Sequence, residues 1–162
     1  MDKPYPYLLR KAEIDNNAFS FSHPWNPDSR VSGTHLSKLG GLERSGVSIA
    51  RVPPGKDSFV YHLHHREEEW IYILSGRAVA RIDGEEYEMA AGDFVAFPAP
   101  SVAHNLSNPF DEEVVYLMGG THTAIEIADF PDHGRRMVRL GEDMQVYDLE
   151  DGRDFFELGP VE

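Results

Sequence analysis

The sequence has 162 residues, of which 41% are hydrophobic, and this size and composition predict a single domain with a substantial core. Its formal net charge of −13 disfavours a polyanionic partner such as DNA or RNA, so we expect no nucleic-acid binding. The absence of cysteine excludes disulfides, thiolate metal sites and cysteine nucleophiles, and the lack of a long apolar run predicts a soluble cytoplasmic protein without membrane contact.

Residues 1–45 are rich in turn-forming residues and show neither helical nor alternating periodicity. We therefore predict an extended N-terminal arm that packs on the rest of the domain or on a partner subunit. From residue 46 the sequence changes to short runs of β-branched and aromatic residues separated by Gly, Pro and Asp. Eight such runs, with turn signals roughly every 8 to 12 residues, predict an all-β sandwich or barrel over residues 46–130.

The clearest hairpin is RAVARIDGEEYEM, because Asp83 and Gly84 suit the two positive-φ positions of a type I′ turn. Beyond residue 120, TAIEIADF and RMVRL predict two further strands on either side of the turn PDHGRR. Residues 131–162 form a predicted C-terminal extension with an acidic tail, since Glu142 to Glu157 contain seven acidic residues and one Arg. We interpret this tail as a solvated surface segment.

The segment VYHLHHREEEW, residues 60–70, carries the strongest chemical signal. On a strand, His62 and His64 point to the same face about 6.6 Å apart, so their imidazoles can converge on one ion. Glu69 begins an alternating run and shares its face with two isoleucines, where a carboxylate is best tolerated when it is paired or bound to a cation. Sequence spacing leaves open whether His104 shares this site or whether the three histidines are unrelated half-buried residues.

These residues together resemble the two sequence motifs of the cupin family. The first motif, glycine followed by H-x-H, Glu and glycine, matches Gly55, His62, His64, Glu69 and Gly76, and the second matches Gly92, Pro98, His104 and Asn108. There are two departures, both in turns: one additional residue precedes His62, and Pro100 stands where the family often has glycine, with His104 one position later. The match covers residues 55–108. It implies a double-stranded β-helix, the cupin jelly-roll barrel, in which His62, His64, Glu69 and His104 bind one metal ion.

The resemblance also implies the cofactor and the class of function. Three imidazoles and one carboxylate suit one divalent transition metal, which is iron, manganese, nickel, cobalt or zinc. We expect a small metal-dependent enzyme that acts on a polar small molecule such as a sugar, a sugar phosphate or a carboxylic acid. Isomerase-type chemistry is favoured because it needs no further cofactor. The alternatives are an iron-dependent dioxygenase, a decarboxylase, and a non-catalytic cupin that binds a small molecule or a metal. The sequence identifies no catalytic residue beyond the metal ligands.

The remaining polar and aromatic residues lead to three further expectations. The connection from His65 to Glu68 is interpreted as a solvated turn. Four other histidines are interpreted as surface residues: His23, His35, His122 and His133. Trp70, Tyr72 and Leu74 form an apolar stripe on the outer face of the Glu69 strand, which either the N-terminal arm or a second subunit must cover. The cupin resemblance favours a homodimer.

Overall fold

In the computed structural model, which describes residues 5–157 and 159, the chain forms fourteen strands and two short α-helices. The helices are α1 (Lys11–Asn16) and α2 (Leu36–Leu39). The first five strands are β1 (Phe19–Phe21), β2 (Val31–His35), β3 (Ser45–Val52), β4 (Lys56–Asp57) and β5 (Leu63–His64). The next five are β6 (Glu69–Ser75), β7 (Arg77–Ile82), β8 (Glu85–Ala90), β9 (Phe94–Phe97) and β10 (His104–Asn108). The last four are β11 (Val114–Thr121), β12 (Ile125–Phe130), β13 (Arg135–Leu140) and β14 (Asp143–Asp148).

The strands form three sheets in which every paired strand is antiparallel to its neighbour, and the all-β prediction is confirmed. A six-stranded sheet has the order β1-β2-β3-β11-β6-β9. One four-stranded sheet has the order β4-β10-β7-β8, and the other has the order β14-β13-β12-β5. Strands that are neighbours in space are often distant in sequence, so the two cupin-like segments are brought together by sheet pairing.

The N-terminal arm predicted over residues 1–45 is not confirmed in its described part. That part contains α1, β1, β2 and α2, and β2 pairs with β3 so that both strands extend the six-stranded sheet. The close pairing depends on Gly33, because a Cβ atom there would lie 2.1 Å from the carbonyl oxygen of Ile49. Residues 1–4 lie outside the described residues.

The turns and the C-terminal strands follow the sequence closely. Asp83 and Gly84 have φ angles of 49° and 85°, as the predicted type I′ turn between β7 and β8 requires. The strands β12 and β13 are those predicted from TAIEIADF and RMVRL. The predicted acidic tail contains an additional strand, β14, which pairs with β13 and exposes all six of its residues. The end of the tail, residues 158 and 160–162, lies outside the described residues.

The core lies between the six-stranded sheet and the sheet that contains β7 and β10. Its buried members are Val31, Ala50, Val52, Ile71, Ile73, Ala78, Ala80, Met89, Phe97, Leu106, Val114 and Tyr116. A smaller cluster of Val60, Ala128 and Phe130, with Trp25, Phe59 and Met137 packed against it, adjoins the third sheet. Among the described residues, the helices are too short and too polar to cross a bilayer.

Candidate metal centre

The two cupin-like segments meet at an antiparallel bridge between His62 and His104. The His62 amide donates to the His104 carbonyl at 3.0 Å, and the His104 amide donates to the His62 carbonyl at 2.7 Å. His64 lies in β5, and Glu69 begins β6, so the connection 65–68 joins two of the predicted ligands. Backbone pairing therefore fixes the position of His104 relative to His62, and the short chain segment that follows His62 carries the other two predicted site residues.

The structure brings all four predicted site residues together around one point. Glu69 Oε2 lies 3.0 Å from His64 Nε2, 3.1 Å from His104 Nε2 and 3.6 Å from His62 Nε2. The Nε2 atoms of His62 and His64 are 3.1 Å apart, and the four potential ligand atoms lie within 4.8 Å of one another. The later position of His104 in its motif therefore does not remove it from the cluster.

The cluster is shielded by aromatic rings on one side and is more open on the other. The His104 imidazole stacks on Phe97 with 3.6 Å between ring centroids, and the His62 imidazole meets Phe59 edge to face at 5.2 Å. The His104 side chain is only 3% exposed, whereas those of His64 and Glu69 are 18% and 16% exposed. The cluster is therefore more accessible to solvent on the side of His64 and Glu69.

In two of the imidazoles, the nitrogen that faces away from the cluster is held by a backbone acceptor. His62 Nδ1 donates to the Val60 carbonyl at 2.8 Å, and His104 Nδ1 donates to the Val102 carbonyl at 3.0 Å. A neutral imidazole carries a single N–H, so the Nε2 atom of each ring keeps a lone pair that is directed into the cluster. Imidazole nitrogens and a carboxylate oxygen with lone pairs directed at the same space form a donor set that fits a divalent transition metal.

The surroundings of each group in the cluster shift its pKa in a definite direction. Burial alone would raise the pKa of Glu69, but the three imidazoles that surround its carboxylate, those of His104, His62 and His64, hold it well below its usual value. Burial lowers the pKa of His62, and the nearby carboxylate offsets this effect only in part. Burial acts in the same direction on His64, but Glu69 together with Glu126 and Glu67 outweighs it and raises the pKa of that imidazole. Glu69 is therefore an anion at neutral pH and supplies the negative charge of the cluster.

The connection 65–68 is not the fully solvated turn that the sequence suggested. Glu67 is buried and accepts hydrogen bonds from the Thr123 amide at 2.6 Å and from Arg139 Nη2 at 2.5 Å. His65 Nε2 lies 2.9 Å from Asp129 Oδ2, in a half-buried ion pair. Only positions 66 and 68 of this connection are exposed. The solvated-turn prediction is therefore wrong at positions 65 and 67, because strands far along the sequence fold over them.

The other histidines are mostly on the surface, as expected. His35, His122 and His133 are exposed. His23 is an exception, since it is only 8% exposed and packs against Phe59 with 4.5 Å between ring centroids. Burial is the main cause that lowers the pKa of His23, so this imidazole is neutral at neutral pH. The interpretation of His23 as a surface residue is wrong, because the N-terminal segment that carries it folds against the barrel.

Comparison with known proteins places these features in a family. A family model described as a cupin domain matches residues 48–120. The solved structure of a candidate sugar phosphate isomerase from Acidithiobacillus ferrooxidans has a TM-score of 0.86 at 33% identity, and the match covers 93% of this chain and 97% of that chain. The structure of a sugar phosphate isomerase from a cupin superfamily, from Silicibacter pomeroyi, has a TM-score of 0.72 at 27% identity and covers 80% and 83% of the two chains.

Curated proteins match over a smaller part of their own length. Quercetin 2,3-dioxygenase of Bacillus subtilis is 24% identical over 124 residues, which make up 74% of this chain and 33% of that protein. The chain spans between 33% and 57% of the length of the curated relatives it matches. The family match includes both motif segments, and the structural matches extend over most of the chain, which confirms the double-stranded β-helix barrel. The chain belongs to the cupin superfamily.

Proposed function

We propose that this protein is a metal-dependent cupin enzyme with isomerase-type chemistry on a sugar or sugar phosphate. The observation that carries the proposal is the convergence of three imidazole nitrogens and the Glu69 carboxylate within 4.8 Å of one another. Similarity to two solved structures that are named as sugar phosphate isomerases, one candidate and one assigned, supports the substrate class. Fold alone selects no reaction, so this similarity has to be tested by turnover.

The side chains of this protein provide the features that such a reaction needs. His62, His64, His104 and Glu69 would hold one divalent transition metal, which polarises a substrate carbonyl or stabilises an enediolate when it is bound. Three neutral imidazoles and one carboxylate leave about one positive charge on such a centre, which favours an oxygen-rich or anionic substrate. The Phe97 and Phe59 rings exclude water from the buried side of the centre and so strengthen its electrostatic interactions.

Isomerisation of a sugar fits this site better than a reaction that needs a second cofactor. The reaction moves hydrogen between adjacent carbon atoms and causes no net oxidation of the substrate. A metal held by these four side chains would supply the Lewis acidity that the carbonyl and the adjacent hydroxyl of a sugar need for this reaction. The more exposed side of the cluster, at His64 and Glu69, is where this pair of oxygens would bind.

Metal analysis and turnover test the proposal directly. Protein purified without chelator or a metal-affinity column should contain about one transition-metal ion per chain, and His64→Ala should lose it. His133→Ala is the matched control, because His133 is exposed and lies outside the cluster. A panel of aldose and ketose phosphates, followed by NMR, should show interconversion by the wild type and by the control only. Metal-free wild-type protein that stays inactive after addition of each candidate metal would contradict the proposal.

A second candidate is an iron-dependent dioxygenase, which the similarity to quercetin 2,3-dioxygenase favours. The same four side chains would then hold iron, and the reaction would consume oxygen. Turnover of the sugar phosphate panel under nitrogen separates the two candidates, since isomerisation continues without oxygen. Oxygen uptake with an iron-loaded protein, and no activity under nitrogen, would favour the dioxygenase.

We also propose that the protein forms a homodimer through the outer face of the six-stranded sheet. Tyr72, Leu74 and Phe94 are 38%, 41% and 59% exposed on this face. The described N-terminal residues leave these side chains uncovered, because β1 and β2 extend the sheet beyond β3 at its opposite edge. A second copy of the chain is the partner that the cupin family suggests for this apolar surface.

A further inference from the structure

We propose that Glu126 is a positioning residue that fixes the tautomer and orientation of His64 in the metal centre. This inference rests on the proposed metal-binding role of His64. Glu126 lies on β12, outside both cupin-like motifs and beyond the residues that the family model matches. Its role follows from what surrounds the outer nitrogen of one imidazole.

His64 differs from the other two imidazoles of the cluster in the environment of its Nδ1 atom. Those rings donate from Nδ1 to backbone carbonyls, whereas His64 Nδ1 is buried and has no hydrogen-bond partner within the described part of the chain. The acceptor that faces it is Glu126 Oε1, at 3.5 Å. A buried N–H without a partner is costly, so a small approach of this ring towards Glu126 stabilises the site. The carboxylate thus takes the place that a carbonyl occupies behind the other two rings.

Glu126 is itself held in place by the chain that connects the ligands. Its side chain is 1% exposed and accepts the amide of Glu67 at 2.8 Å and the amide of His65 at 3.1 Å. A longer contact of 3.4 Å joins it to the amide of Arg66. Hydrogen bonds from consecutive backbone amides fix the carboxylate and also fix the connection between His64 and Glu69. One buried side chain therefore determines the spacing of two ligands.

The same region does not resemble a second metal site. His64, Glu67 and Glu126 have potential ligand atoms within 4.8 Å of one another. However, Glu67 Oε1 already accepts from the Thr123 amide and from the Arg139 guanidinium, and backbone amides surround Glu126. A cation placed there would lie beside the positive charge of Arg139 and would have to displace these donors. The carboxylates are therefore parts of a hydrogen-bond network behind His64.

This arrangement has a definite chemical consequence for the metal centre. An imidazole that donates from Nδ1 to a carboxylate keeps its lone pair on Nε2 and becomes a stronger metal ligand. Loss of such an outer partner typically weakens metal affinity by about 10- to 100-fold. The neutral variant Glu126→Gln keeps the size of the side chain but removes the charge that the Nδ1–H faces.

Two measurements on Glu126→Gln test the inference, and one of them needs no metal. In metal-free wild-type protein, long-range ¹H–¹⁵N correlation of the imidazoles should show a proton on Nδ1 of His64, and the variant should lose this proton. In a competition titration against a chromophoric chelator, the variant should bind Co²⁺ about 10- to 100-fold more weakly than the wild type. Circular dichroism establishes that both proteins are folded.

Asp129→Asn is the matched control, because it also removes a β12 carboxylate that faces the connection 65–68 but does not contact a proposed ligand. The control should keep the wild-type tautomer of His64 and the wild-type Co²⁺ affinity. Equal affinity of Glu126→Gln and wild type, or a wild-type His64 protonated at Nε2 alone, overturns the positioning role. Wild-type protein that binds no Co²⁺ overturns the proposed metal site, and the tautomer measurement still decides the role of Glu126. If Glu126→Gln does not fold, the presence or absence of a proton on His64 Nδ1 in the wild type decides whether Glu126 has this role.

Discussion

Asn108 connects β3 to the loop that follows its own strand β10, and its replacement by alanine should cost about 3 kcal/mol of unfolding free energy. The side chain is 1% exposed, and its amide group donates to the Val52 carbonyl at 2.9 Å and the Glu112 carbonyl at 2.7 Å. Its oxygen accepts the Phe110 amide at 3.1 Å. Each hydrogen bond contributes about 1 kcal/mol net, and its loss leaves a partner that is shielded from water. For a domain of this length, about 3 kcal/mol corresponds to a melting temperature lower by roughly 6 to 12 °C.

Urea denaturation followed by tryptophan fluorescence measures this loss. Ser107→Ala is the control on the same strand, because the Ser107 hydroxyl makes one long hydrogen bond of 3.4 Å to Val79; it should cost less than about 1 kcal/mol. Asn108→Asp keeps an acceptor for the Phe110 amide but places a carboxylate against two carbonyls, so it should be at least as unstable as the alanine variant. A loss below about 1 kcal/mol in Asn108→Ala would refute the reasoning, because the three hydrogen bonds would then contribute nothing measurable.

Three shorter predictions concern a half-buried ion pair, a buried glycine and the outer face of the sheet. The Arg136 guanidinium, with smaller effects from neighbouring groups, lowers the pKa of Asp129, so this carboxylate stabilises the fold above its usual titration range and loses that effect as the pH falls. Urea denaturation should therefore show Asp129→Asn less stable than wild type at pH 7 and nearly equal to it in strong acid. Gly119→Ala should cost about 1 to 3 kcal/mol in the same assay, because the new Cβ atom would lie 2.5 Å from an atom of the Trp70 ring and 2.6 Å from the Gly46 carbonyl oxygen. Tyr72→Glu should convert the proposed dimer to a monomer in light scattering at micromolar concentration.

Each of these predictions has an outcome that would contradict it. An Asp129→Asn variant with the same deficit at every pH would show that the ion pair with Arg136 is not the cause. Gly119→Ala with wild-type stability would mean that both the Trp70 ring and the backbone at Gly46 move away at no cost. Tyr87→Glu is the control for the dimer, because Tyr87 is 53% exposed on β8, in another sheet. A monomeric wild type, or equal dissociation of both tyrosine variants, would rule out the proposed interface.

The sequence predicted the four side chains of the candidate centre because local geometry and family spacing agreed. The H-x-H spacing places His62 and His64 on one face of an extended backbone, and the observed cluster contains both. Alternation alone placed Glu69 on the buried face, as the structure shows for β6. His104 could be included only through the cupin resemblance, since its contact with His62 depends on a bridge between residues far apart in sequence.

What the sequence did not predict depends on contacts between distant segments. The Glu67 carboxylate is buried because Thr123 and Arg139, 56 and 72 residues away, supply its donors. Glu126 was missed although it alternates with isoleucines in TAIEIADF, because the periodicity does not show which face of that strand is buried. The strands β1 and β2 are three and five residues long, which is too short for alternation to stand out among turn-forming residues.

The network behind His64 has a consequence for any attempt to reduce this protein to its smallest working unit. The matched cupin domain ends at residue 120 and contains every side chain of the candidate centre. The carboxylate and guanidinium that hold the connection 65–68 belong to β12 and β13, further along the chain. A fragment that ends at residue 120 would thus keep the four side chains of the candidate centre. It would lose Glu126 and Arg139, which hold the connection next to His64. A fragment designed to carry this centre into another protein should therefore include the chain at least to residue 140, where β13 ends.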